Sequence, residues 1–518
     1  MIASRLDRAI AALPRAYPGP GGAVAVLREG RVLVRHAWGY ANAERRIPFT
    51  PRTLFRMCSI TKQFTCAAML DAFPDPSALD AMVAARLPRL NVKAPGAAHL
   101  AHNQSGLRDY WAIAMALGSP VEAPFGDTEA ASLIAATRSL HFPPGTRFSY
   151  VNQNFRILSD ILCDRLDRDF GTLLRQRVFD RAGMDSAILA ADTRAMPDGT
   201  DGYEGSQATG FRAAENRILW TGDAGLGASL DDMIAWERHI DATREDPGSL
   251  YRRLSAPVAF ADGHPAAYGF GLGRGQAFGR DWTGHGGALR GWRSHRIHIA
   301  LDRVSVVVMF NHMANAAAAA MDVLAAALDA PPPRPAPSVP PPSWLGAYLD
   351  PETGLSVRLD PNEQGQVRVR HGHSAELLEP RPDGSVGAEG GTRLYWVGSG
   401  PRMERPGENR VVDLTSLPAQ ADRDVAGRYV CEELDAALTV TDAGGVLYGA
   451  FSGPLGQGRM ELLDPIGRDA WALPCPRGLD HTPPGDWTLL FHRGADGRVG
   501  GATVGCWLAR GLSYRRVD

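Results

Sequence analysis

Lysine is almost missing from this chain of 518 residues: of 55 basic side chains, two are lysine, Lys62 and Lys93, and 53 are arginine. In a sequence rich in Ala, Gly and Pro, this is the mark of GC-rich coding that turns lysine into arginine wherever either serves. A lysine that persists is then a candidate for work arginine cannot do, because a partly desolvated amine can release its proton and a guanidinium cannot. Also missing is any basic block interleaved with aromatics, and a net charge of -2 with a pI near 6.7 argues against a nucleic-acid partner. No apolar run is long enough to span a membrane; the longest, near residues 316 to 328, is mostly alanine and is broken by Asp322. The N-terminal stretch MIASRLDRAIAALPRAYPGPGG spreads its charges and lacks an apolar signal core, so it reads as an amphipathic helix. Six cysteines (Cys58, Cys66, Cys163, Cys431, Cys475, Cys506) form no CxxC pair, which fits buried free thiols of a cytoplasmic protein.

What is present divides the chain. AVAVLREGRVLVRHAWGYA (23 to 41) is a β-hairpin signal around Glu29-Gly30. RSHRIHIALDRVSVVVMF (293 to 310) gives two more strands, and NAAAAAMDVLAAAL a closing helix. Strands at both ends with helices between predict an α+β domain over 1–330: one antiparallel sheet flanked by helices. PPPRPAPSVPPP, in the linker 331–342, favours extended polyproline conformation. Beyond it, WLGAYLDPETGLSVRL (344 to 359) resembles VAGRYVCEELDAALTV (425 to 440) at an offset of 81 residues. Each has Gly-x-Tyr entering a strand, which predicts two small antiparallel β-barrel domains, 343–418 and 419–518.

The chemistry starts at FRMCSITKQF (55 to 64). Ser59 and Lys62 stand three apart at a predicted helix start, so hydroxyl and amine share one face. The helix N-terminus favours a deprotonated lysine and stabilises a nearby oxyanion, and a Ser/Lys pair can activate a poor nucleophile. FSYVNQNF supplies Tyr150 and Asn152, a phenol able to shuttle a proton and an amide able to orient the lysine. TGHGGALRGW (283 to 292) places His285 before Gly286 and Gly287, where a ligand can approach the backbone closely. Each element alone has an ordinary structural explanation.

In this order and spacing, S-x-x-K, Y-x-N and H-x-G resemble the motif set of the penicillin-recognising serine hydrolases: serine β-lactamases, DD-peptidases and related esterases and aminopeptidases. HNQSGLRDYW (102 to 111) and GDAGLGASLDDMIAWER resemble further segments of that family, and the likeness covers roughly residues 10 to 330. With its two C-terminal barrels and the ending GATVGCWLARGLSYRRV, the whole chain resembles the D-aminopeptidase branch. The resemblance implies that Ser59 is acylated and that Lys62 and Tyr150 share the acid and base work. It makes Asn152 and His285 the orienting groups, and the amides of Ser59 and Ala288 the oxyanion hole. It implies no metal or cofactor, a homodimer, and β-lactams as possible inhibitors. Cys58 has no His-Asn arrangement beside it and reads as a packed thiol.

The expected substrates are peptides, amides and esters with an N-terminal D-residue (D-Ala, D-Ser, D-Thr, also Gly). The alternatives are an esterase or β-lactamase-like hydrolase, and a non-enzymatic protein acylated by β-lactams. His285 stands where penicillin-binding proteins carry a carboxylate-binding lysine, which weakens a carboxypeptidase reading. An aminopeptidase must hold an ammonium group, which calls for a carboxylate. PCPRGLDHTPPGDW (474 to 487) resembles the loop that reaches the active site in that branch. The resemblance implies that within it Asp480, or else Asp486, is the ammonium partner, with Gly287 also expected to contact substrate.

Overall fold

The computed structural model describes the chain apart from residues 1, 332–343, 363–365, 373–374, 389–390, 399, 419–421, 476–477, 481–483 and 518, and the side chains of 2–4. All but the first residue of the proline-rich linker, and five residues of the loop 474–487, therefore lie outside the described residues.

The two ends of the first 330 residues meet in one antiparallel sheet of eight strands. The N-terminal hairpin, Gly21–Arg28 with Arg31–Asn42, pairs through Gly21–Arg28 with Val304–Phe310; Trp292–Ile299, Arg280–Leu289 and Leu272–Ala277 follow outward. Alternation sends Val24, Val26, Val306 and Val308 to one face, where the helices Ile2–Ala16 and Ala316–Ala327 pack. Ala23, Ala25, Val307 and Met309 face the other side, against the helical core. Because both faces are covered, every residue of VSVVVMF is buried, and its one polar residue, Ser305, donates to the buried Glu237 carboxylate at 2.7 Å.

At the centre of the helical layer lies Thr61–Ala72, with ten buried residues. Its sequence, TKQFTCAAML, has no polar stripe to give to solvent, which suits a helix enclosed on all sides. Asn152–Leu166 and Leu230–Ala242 pack around it, the latter capped by Ser229 as the sequence before it foretells.

The rest folds into two barrel-like antiparallel sheets, one from Gly346 to Ser416 and one from Gly427 to Arg516. The 81-residue repeat is visible in detail. Gly346 and Gly427 both enter their strands at positive φ, 144° and 155°. Tyr348 and Tyr429 are both buried and both donate their hydroxyl to the carbonyl four residues earlier, Trp344 at 3.0 Å and Val425 at 2.7 Å. Among the described residues no helix is long and apolar enough to cross a membrane.

Candidate active site

Ser59 sits in the tight turn Cys58–Ile60 that runs into the buried helix Thr61–Ala72. Cys58 holds a left-handed backbone, φ +50°, an uncommon conformation for a residue other than glycine and one that gathers at functional sites. Strand Arg280–Leu289 presses directly on this turn. A Cβ on Gly287 would stand 2.2 Å from the Met57 carbonyl oxygen, so only glycine permits that approach. Ser294 of the neighbouring strand donates to the same carbonyl at 3.2 Å.

One turn of helix beyond Ser59, the Lys62 ammonium is fully buried and makes three bonds. It donates to Ser59 Oγ at 3.0 Å, Asn152 Oδ1 at 2.9 Å and the Asp223 carbonyl at 2.7 Å. Burial pushes its pKa down to about 8, against the opposing pull of Asp223, Asp109 and Asp480. The Asn152 side chain cannot be reversed, because its Nδ2 donates to Asp109 Oδ2 at 3.0 Å. Asp109 is wholly buried, and desolvation raises its pKa to about 6 despite bonds from the Asn152 and Trp111 amides. At neutral pH it is a carboxylate. Nothing in the sequence marks Asp109 as a site residue; its one local signal is a helix cap, for it caps Tyr110–Ala116.

Tyr150 lines the cavity together with Ser59, and its ring lies 4.9 Å from the Lys62 nitrogen. Burial raises its pKa well above the ordinary phenol value, so it stays protonated. His285 stands behind it, ring centres 6.0 Å apart. The His285 Nδ1–H donates to the Gly286 carbonyl at 2.6 Å, which leaves Nε2 to accept from the Tyr268 hydroxyl at 3.0 Å. Burial and the Lys62 charge lower its pKa to about 3, so the ring is neutral.

A cavity of about 390 Å³ opens over Ser59. Tyr150, Asn152, Gly286, Gly287 and Ala288 line it, with Trp111, Arg293, Asp480, Trp507 and Leu508 on the walls. His285 is not part of that lining; its ring supports Tyr150 from behind. The two-residue turn Arg290–Gly291 makes Leu289 and Trp292 a hydrogen-bonded pair, so alternation turns the Ala288 N–H outward. The next strand pairs only residues 280–284, leaving the edge at 286–288 open among the described residues. Asp480 is buried in the wall, and its charge is felt at Lys62, Tyr150 and Arg293. Asp486 is elsewhere, ion-paired with Arg358. Cys58 is sealed and its thiol is pushed up to about 12, the opposite of an activated nucleophile. The six cysteines are free, five of them buried and Cys163 half-buried.

A mixed helix-and-sheet domain with Ser, Lys and Tyr converging on one buried turn defines the β-lactamase-like serine hydrolases. The β-lactamase family matches residues 6–330, and "D-aminopeptidase, domain B" matches residues 338–515. A D-aminopeptidase of Gluconobacter oxydans is 59% identical over 525 residues, covering 100% of this chain and 99% of its own. One of Brucella canis is 46% identical over 512 residues, covering 99% and 98%. This chain belongs to the D-aminopeptidase family, serine peptidases built on the β-lactamase fold. Among solved structures, an octameric penicillin-binding protein homologue from Pyrococcus abyssi shares the fold at TM-score 0.55 and 17% identity, covering 89% of this chain and 100% of that one. SurE does so at TM-score 0.52 and 21% identity, covering 80% and 99%.

Proposed function

We propose that the protein removes N-terminal D-residues, small ones such as D-Ala, D-Ser and D-Thr and also Gly, from short peptides, amides and esters through an acyl-enzyme on Ser59. The observation that carries this reading is the buried Lys62 amine, 3.0 Å from the Oγ of Ser59, which lines a cavity whose wall also holds Asp480. Neutral Lys62 accepts the Ser59 proton as Oγ bonds to the substrate carbonyl carbon. The oxyanion forms between the amides of Ser59 and Ala288, at a helix start where positive partial charge already stands. Tyr150, a phenol held protonated, gives its proton to the leaving nitrogen, the C–N bond breaks, and the Lys62 ammonium reprotonates Tyr150. Water then attacks the ester, Lys62 again accepting a proton, and Ser59 leaves with it. Lys62 is thus the base and Tyr150 the acid. Asn152, locked by Asp109, keeps Lys62 aimed, and neutral His285 keeps Tyr150 and Tyr268 in place.

Asp480 is the partner of the substrate ammonium. Its place in the cavity wall supports this over Asp486, which is not part of that lining. The fold also supports acylation by β-lactams as possible inhibitors. Turnover of D-alanine p-nitroanilide tests the reading, with mass spectrometry of the trapped acyl-enzyme. Steady hydrolysis with the acyl group on Ser59 is expected. Hydrolysis of simple esters alone would mean an esterase, and a stall after one equivalent would mean an acylated binding protein.

A further inference from the structure

Among the described residues, the middle β-domain sends nothing into the lining of the Ser59 cavity. One of its turns nevertheless grips two of the cavity's walls. Glu408, at the end of the short turn Pro406–Glu408, is 3% exposed. Its carboxylate accepts the Trp507 indole N–H at 2.7 Å, Arg405 at 2.8 Å and Arg510 at 3.3 Å. Those cations hold it ionised, well below the usual carboxylate range.

Trp507 and Leu508, which line the cavity, form the two-residue turn between the last strands, Val499–Cys506 and Ala509–Arg516. The Leu508 carbonyl accepts from the amide of Asp109 at 3.0 Å, the residue that locks Asn152. Arg108 donates to the Arg510 carbonyl at 2.8 Å. On its other side the Glu408 turn meets the segment that runs into Tyr150. Asn409 donates to the Thr146 carbonyl at 3.0 Å and accepts from Arg147 at 3.0 Å. One turn therefore ties together parts of all three regions of the chain at the point where the cavity is walled.

We propose that Glu408 is a positioning residue that fixes the shape of the substrate cavity through Trp507, so that the middle domain sets specificity without touching substrate. This rests on the reading of the Ser59 cavity as the active site. A tryptophan has two bonds to rotate about, and its ring is large beside a cavity of about 390 Å³. Holding its one polar atom on a buried carboxylate selects a single ring orientation. With that bond lost, the ring can swing and the cavity accepts or rejects side chains of different bulk.

The test compares wild type, Glu408→Leu, Trp507→Phe and the double variant in the full chain. Substrates are the p-nitroanilides of D-Ala and D-Phe. Each single variant is expected to change the D-Ala to D-Phe ratio of kcat/KM about tenfold, mainly through KM. Glu408→Leu, which leaves no acceptor for the indole, is expected to add nothing in the Trp507→Phe background, because both changes remove the same bond. A merely structural role would lower the melting temperature and leave the ratio alone. An unchanged ratio in folded Glu408→Leu, or additive effects in the double variant, would overturn the proposal. Should Glu408→Leu not fold, Glu408→Asp, which keeps the charge and shortens the reach, takes its place; if neither folds, the role is structural and the proposal falls. Labelling of wild-type Ser59 with a serine-directed acylating reagent runs alongside. No label overturns the active-site reading and this inference with it, whereas a label with an unchanged ratio overturns Glu408 alone.

Discussion

Lys62 is where composition, geometry and electrostatics converge, and its titration gives a directional test. Burial lowers its pKa to about 8, so the base form is in the minority at neutral pH and falls about tenfold for each pH unit below that value. The rate kcat/KM, which reports the free enzyme, should therefore rise with pH through an apparent pKa near 8 and level off above it. Lys62→Arg should abolish that limb and lower kcat by about 10²–10⁴-fold, since a guanidinium cannot accept the proton. Near-normal activity in Lys62→Arg would exclude Lys62 as the base. The neighbouring thiol gives the complementary result. Cys58, sealed and shifted up to about 12, should leave activity largely intact when the folded protein is treated with alkylating agents. An acyl group found on Cys58 after substrate trapping would contradict the assignment.

Between elements, the closest approach is that of strand Arg280–Leu289 to the Ser59 turn. Gly287→Ala would put a methyl 2.2 Å from the Met57 carbonyl oxygen, a backbone atom that cannot turn aside. Strand and turn must separate, which moves the Ala288 amide relative to Ser59. A displacement of about 1 Å in such a site costs about 10²-fold, so kcat should fall by that order in a folded protein. Gly286→Ala should cost less, because its Cβ comes no closer than 3.1 Å to the His295 ring and 3.7 Å to the Ser294 carbonyl oxygen. Equal losses in the two variants would show that the contact does not matter.

The same elements show what a sequence discloses. Ser59, Lys62, Tyr150 and Asn152 were legible because the spacing S-x-x-K and Y-x-N is imposed by one helix turn and one helix start. The terminal hairpin, the strands around 293 to 310 and the barrel repeat were legible from local periodicity. Asp109, Arg293, Trp507 and Glu408 were not. Asp109 meets Leu508 and Glu408 meets Trp507 across hundreds and about a hundred residues respectively, so neither pair leaves a local pattern. His285 was legible as a motif position, but that its ring stands behind Tyr150 depends on which way the strand faces, and a motif does not carry that.

At the scale of the whole molecule, the last barrel-like region reaches back over the catalytic helices and supplies Asp480, Trp507 and Leu508 to the cavity. If Asp480 meets the substrate ammonium, Asp480→Asn should raise KM for D-aminoacyl p-nitroanilides and change kcat much less. Leaving one charge of a desolvated pair without its partner costs on the order of 2–5 kcal/mol, so the rise in KM should be at least tenfold. An N-acetylated ester of similar size carries no ammonium and should lose far less, or gain, because a buried carboxylate no longer opposes its apolar cap. Asp480→Asn should also act on chemistry in a second, smaller way. The Asp480 charge helps to hold Lys62 protonated, so its removal should move the acid limb of kcat/KM to lower pH. The two effects are separable, since the first depends on the substrate's amine and the second does not. Equal changes for free-amine and N-blocked substrates would show that Asp480 does not read the N-terminus. The ammonium partner would then have to be another acidic group of the catalytic domain, with Asp109 and Asp223 excluded because both already serve Lys62 and its neighbours.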